Sequence, residues 1–170
     1  MSRGGKTDKQ TLVFLCIDES VHALRALDWF RDHFYRKNHI VGIVHVHPPL
    51  PQRWNAPDSF TATSSTSDSD SGSVVAQQQK TSSLIQDFLN RCVEYGMKVR
   101  LYSHEKNESI GRTICNLIKE HQPSCLVMGQ RGLGTVKRTL YGSVSDYILH
   151  HAHIPVVIVP PPQARRQSLE

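Results

Sequence analysis

The chain has 170 residues, of which 38% are hydrophobic and 21% charged, a composition suited to one globular core of about 140 residues rather than to disorder or two crowded domains. No apolar run approaches the ~20 residues that a membrane span requires, so a membrane protein is not expected. The net charge of +5 comes from scattered Lys and Arg without an aromatic-laced basic stripe; nucleic acid is therefore not an expected partner, and a small anionic ligand accounts for the charge equally well.

Met1 to Gln10 carries no apolar stretch of the kind that drives secretion, which points to a cytosolic or nuclear protein, with the cytoplasm as first expectation. Residues 1–8 read as a flexible tail. Cys16, Cys92, Cys115 and Cys125 fall within apolar patterns and share no metal-type spacing, as small core residues do in a reducing compartment.

Thr11 to Ile17 is a short apolar run of strand formers, followed by Asp18, Glu19 and Ser20, which suit a helix start. Ala23, Leu27, Phe30 and Phe34 then recur at helical spacing. Ile40 to Val46 is apolar throughout, as in a strand covered on both faces, and Pro48-Pro49 stop it. From His47 to about Ser73 the chain turns to Pro, Ser, Thr and Asp and predicts a mobile loop, with Trp54 and Phe60 placed on its surface.

Leu84, Ile85, Phe88, Leu89, Cys92 and Val93 predict a second helix stopped at Gly96. Met97, Val99 and Leu101 alternate with Lys98, Arg100 and Tyr102 as in a half-exposed third strand. Ile110, Ile114, Leu117 and Ile118 mark a third helix, and Cys125 to Met128 a buried fourth strand running into Gly129. Val144, Tyr147 and Ile148 fit a fourth helix. Pro155 to Val159 gives a fifth strand closed by Pro160, and residues 161–170 read as a flexible tail. Strands alternating with helices imply a single α/β domain over residues 9–160, its mainly parallel sheet covered by helices on both faces. Ligands of such sheets bind at the carboxyl ends of the strands, where the strand order reverses.

The segment from Met128 to Ser145 leaves a buried strand through Gly129, Gly132 and Gly134 and enters a helix at Gly142-Ser143. Glycines let backbone N–H groups approach an anion, and the first turn of a helix adds unpaired donors and the positive end of its dipole. Ser143 and Ser145 can supply hydroxyl donors or cap the helix, and Arg131, Lys137 and Arg138 raise the local positive potential. A Walker loop is excluded, because Thr135-Val136 stands where Lys and then Ser or Thr are needed. The glycines are also wrongly spaced for a GxGxxG dinucleotide turn.

The pattern that fits is Gly129-x2-Gly132-x9-Gly142-Ser143, and on it the chain resembles the ATP-binding branch of the universal stress protein family over about residues 9–160. The resemblance implies a flavodoxin- or Rossmann-like three-layer fold with a five-stranded parallel sheet in the order 3-2-1-4-5. It implies that Cys16, Ile17, Asp18 and Val46 surround adenine and ribose, and that Met128 and Gly129 lie beneath the ribose and first phosphate. Gly132, Gly142, Ser143, Val144 and Ser145 would hold the phosphates, with Arg131 beside them. Cys16 stands where many ATP-binding members carry proline. ATP, with or without Mg2+, is the expected ligand, with AMP or ADP as alternatives, and a homodimer is expected through the edge strand at 156–159.

Other features read as structural. His45, on a buried strand, suits a hydrogen-bonded core histidine, and His150, His151 and His153 surround a helix end without further metal ligands. Arg165-Arg166-Gln167-Ser168 resembles a basophilic kinase site of a kind common by chance. No nucleophile is paired with a His and an orienting acid, so a nucleotide-dependent regulatory module is expected rather than an enzyme. A slow ATPase and a dimeric scaffold with an unused pocket are the alternatives.

Overall fold

The computed structural model describes residues 9–49, 69–130 and 142–162. Nine elements alternate along them: β1 (Thr11–Cys16), α1 (Val21–His33), β2 (His39–His47), α2 (Ser69–Glu94), β3 (Lys98–Glu105), α3 (Ile110–His121), β4 (Cys125–Gly129), α4 (Ser143–His151) and β5 (Val156–Val159). The strands form one parallel sheet in the order β3-β2-β1-β4-β5. Because β1 has β2 on one side and β4 on the other, the strand order reverses between β1 and β4, and the carboxyl ends of those two strands frame a crevice.

The apolar strands are continuous because both faces are covered. Val13, Leu15, Val41, Ile43 and Val127 face a layer holding Ala26, Leu27 and Phe30 of α1 and Phe88 of α2. Phe14, Val44, Leu126 and Met128 point the other way, onto Ile114, Leu117 and Ile118 of α3 and Ile148 of α4. Burying each such side chain contributes roughly 1.5–3 kcal/mol, which is why the period-2 alternation is read here as two cores rather than as inside and outside.

Two boundaries differ from the sequence reading. The helix preceding β3 starts at Ser69, so residues 69–73, expected in the loop, are helical. This first stretch has no apolar periodicity to announce it; a helix anchored by the buried Phe88 and Cys92 propagates back through helix-forming Gln and Lys. At the other end of the expected loop His47 still belongs to β2, while residues 50–68, with Trp54 and Phe60, lie outside the described residues, as do residues 1–8 and 163–170. On edge strand β3 the expected alternation is also reversed in part. Leu101 is exposed, whereas Tyr102 packs on Phe14 with ring centroids 4.8 Å apart.

Candidate functional site

A cavity of about 290 Å³ opens at the carboxyl ends of β1, β2 and β4, between α3 and α4. β1 and the turn after it contribute Cys16, Ile17 and Asp18; β2 contributes Val44 and Val46; β4 contributes Met128 and Gly129. The start of α4 closes one side with Gly142, Ser143, Val144 and Ser145. Every residue picked out from the sequence as a site residue and lying in the described segments lines this one cavity. Arg131 and Gly132, with Gly134, Lys137 and Arg138, lie outside the described residues.

Asp18 shapes the turn that leads into α1. Its Oδ1 accepts the Ser20 N–H at 2.9 Å and the Ser20 hydroxyl at 2.5 Å, while the side chain of Ser20, the N-cap, makes no capping bond. Asp18 therefore organises the helix start from one turn earlier and also reaches the cavity. Beside it, the Ile17 N–H is committed to the Val44 carbonyl at 2.9 Å, which fixes the floor. Burial, followed by the nearby Asp18 and Cys115, pushes the Cys16 thiol up to about 12, so it stays protonated and is no nucleophile at neutral pH.

The two described glycines of the motif do different work. A Cβ on Gly129 would lie 2.2 Å from the carbonyl oxygen of His22, so this glycine is required by the close approach of β4 to the first turn of α1. A Cβ on Gly142 would meet only Ser145 Oγ, at 3.9 Å, among the described residues. Gly142 is the N-cap of α4, with φ −67°, ψ 159° and no side-chain capping bond. Of the two roles open to Ser143 from the sequence, capping is not the one the structure adopts: Ser143 is the first helical residue, and the Ser145 hydroxyl donates back to the Gly142 carbonyl at 2.9 Å. Among the described residues no side chain caps the backbone N–H groups that open α4 at the cavity, an arrangement suited to an anion.

Sequence reasoning missed the apolar wall. Ala23, Val44, Ile110 and Ile114 also line the cavity. Ile110 and Ile114 were legible only as core periodicity; their spacing of four residues at the start of a helix that packs over strand ends was the available signal.

His45 departs from expectation. It is buried, yet its Nδ1 has no hydrogen-bond partner among the described residues, and its ring lies 6.2 Å from that of His47. Burial, reinforced by His47, lowers its pKa from 6.5 against the opposing pull of Asp18 and Glu19, so it is neutral at pH 7. Strand alternation puts it on the α2 side with Ile43, away from the cavity wall made by Val44 and Val46. His150 and His151 each donate Nδ1–H to the carbonyl four residues earlier, at 2.8 and 2.7 Å. Among the described residues no three His, Cys, Asp or Glu side chains are grouped to hold a metal ion, and no helix is long and apolar enough to cross a membrane. All four cysteines are free thiols, with Cys92, Cys115 and Cys125 buried.

A second cleft, larger at about 780 Å³, lies between the β1–α1 turn and α2. Asp18 borders both. The cleft's other charged groups are Glu19 and the α2 residues Lys80, Asp87, Arg91 and Glu94, above a floor of Leu24, Leu84 and Phe88.

The universal stress protein family model matches residues 12–160. The universal stress proteins PHOS34 and PHOS32 of Arabidopsis thaliana are 30% and 28% identical to this chain over 89% of it, and the chain spans 62% and 65% of their lengths. Among solved structures, a universal stress protein family protein from Arabidopsis thaliana with AMP bound aligns with a TM-score of 0.64 and 23% identity, covering 90% of this chain and 93% of that one. A universal stress protein in complex with cAMP aligns with a TM-score of 0.62 and 18% identity, over 91% and 99% of the two chains. At these identities the structural likeness establishes the fold.

Proposed function

This chain belongs to the universal stress protein family, and from that premise we propose that it is a regulatory module which binds an adenine nucleotide in the cavity between α3 and α4. One observation carries the reading: every described residue that the glycine motif and the family resemblance select lines the crevice at the strand-order reversal, and the start of α4 is among them. In this reading the α4 N–H groups hold phosphate, the apolar wall of Ile110, Ile114 and Val46 covers the base, and Asp18 accepts hydrogen bonds from ribose hydroxyls or the adenine amino group. Gly132 and Arg131, outside the described residues, are assigned to the phosphate by the motif and the resemblance alone. Relatives of the same fold carry AMP and cAMP, which supports an adenine ligand.

ATP, with or without Mg2+, is the nucleotide we propose as physiological, with occupancy changing partner choice or stability rather than driving turnover. Among the described residues lining the cavity the one carboxylate, Asp18, is engaged by Ser20, and the Cys16 thiol is neutral. Calorimetric titration of nucleotide-stripped protein with ATP, ADP and AMP tests this. Saturation near one nucleotide per chain, with phosphate release no faster in Mg2+ than in chelator, is expected. No heat at millimolar nucleotide from a folded protein would refute binding, and Mg2+-dependent turnover would make the chain an ATPase.

The proposal extends to a cytoplasmic homodimer. β5 is a sheet edge on which Val156, Val157 and Ile158 remain only half-buried, and apolar edges of this kind are commonly covered by pairing. Val157→Lys should halve the mass measured by light scattering; an unchanged mass would sink pairing through this edge.

A further inference from the structure

We infer that Gly111 and Tyr147 are positioning residues: the seat of the Tyr147 ring on the Cα of Gly111 sets the spacing between α3 and the start of α4, and with it the geometry of the anion-binding N–H groups. The inference rests on the nucleotide reading above, but neither residue lines the cavity.

Gly111 is the second residue of α3 and is buried, at a position where glycine is a poor helix former. Its reason is steric. A Cβ there would lie 2.8 Å from Tyr147 Cδ1 and 3.1 Å from both Cβ and Cγ of the same side chain. The contact includes the base of the side chain, so turning the ring cannot relieve it, and α4 itself must move. The ring is held from its other side too. It stacks on His151 at 4.0 Å and 11°, His151 Nδ1–H donates to the Tyr147 carbonyl at 2.7 Å, and the Tyr147 hydroxyl and Glu108 carboxylate both face the Arg112 guanidinium.

The joint lies beside the site on both helices. Ile110, the neighbour of Gly111, and Ile114 form the α3 wall of the cavity; Ser143 and Val144, one turn before Tyr147 on the same face of α4, form the opposite wall. A methyl group at position 111 would wedge these walls apart by tenths of an ångström. Hydrogen bonds weaken steeply with distance and angle, so a phosphate should sense this shift more than an apolar-walled base.

The test is a double-mutant cycle read with AMP and adenosine. Gly111→Ala should weaken AMP binding about tenfold and adenosine binding less than about threefold, with cooperative unfolding retained. In the Tyr147→Ala background, where Cδ1 and Cγ are gone and the Cβ contact at 3.1 Å remains, adding Gly111→Ala should change AMP affinity less than about threefold. Hydrogen exchange at the Asp146 amide, which closes the first turn of α4 on the Gly142 carbonyl at 2.9 Å, supplies a second readout, faster in Gly111→Ala than in wild type with or without nucleotide. Wild-type AMP affinity in Gly111→Ala, equal losses in the two backgrounds, or equal losses of AMP and adenosine would overturn the inference. If Gly111→Ala alone does not fold, a folded double variant with the AMP affinity of Tyr147→Ala supports it, and an unfolded double variant overturns it. Wild-type protein that binds no AMP refutes the nucleotide reading instead, and the exchange comparison then decides the spacing role by itself.

Discussion

The two cavities that meet at Asp18 make an instructive pair. The cleft against α2 is the larger, about 780 Å³ against about 290 Å³, and carries more charge. Its charged groups are side chains of both signs, and those contributed by α2 are exposed, so water solvates them already and they hold no fixed geometry. The smaller cavity offers fewer polar groups, but they are backbone donors at a helix start and a carboxylate locked in a turn, set where the strand order reverses. Preorganised donors in a concave, apolar-walled space, rather than volume, make a binding site. At the lower edge of the range for small-molecule pockets, about 300–1,000 Å³, the smaller cavity suits a nucleoside with its phosphate at α4.

The sharpest way to break this contrast is Gly142→Asp. An aspartate at the N-cap is favoured by a few tenths of a kcal/mol over glycine, but its carboxylate would occupy the anion position, so AMP affinity should fall about a hundredfold while the melting temperature holds or rises. Calorimetry beside a thermal melt reads both, and parallel losses would remove the ligand argument. Gly129→Ala should act the other way round. Pressing a methyl group onto the His22 carbonyl should cost about 1–3 kcal/mol, read as a lower urea midpoint in nucleotide-free protein. An unchanged midpoint would mean that α1 yields freely, and that Gly129 is not kept for packing. The smallest effect is expected in the larger cleft: Asp87→Asn should leave AMP affinity within about twofold, and a larger loss would move the site toward α2.

Most of the sheet could be read from the chain because its central strands β1, β2 and β4 are buried on both faces, so apolar runs such as Ile40 to Val44 and Cys125 to Met128 stand out without alternation. The strand order itself followed from resemblance, and no local signal supplies it. Where the sequence was misread, local chemistry did not distinguish the alternatives. Ser69 to Ser73 is polar whether looped or helical, and Tyr102 is amphipathic enough to serve either face of an edge strand. The site was legible where backbone approach demands glycine and a turn demands a carboxylate. Its apolar wall was not, because Ile110 and Ile114 carry the same pattern whether they face a core or a ligand. That His45 Nδ1 finds no partner among the described residues could not be foreseen either, since hydrogen bonding depends on neighbours that periodicity does not name.

The most direct measurement is a crystal structure of this protein grown with AMP. The account predicts one AMP in the cavity between α3 and α4, its phosphate against the backbone N–H groups of Ser143 to Ser145 and its base against Ile110 and Val46. AMP seated in the cleft between α1 and α2, or held with its phosphate away from α4, would contradict it.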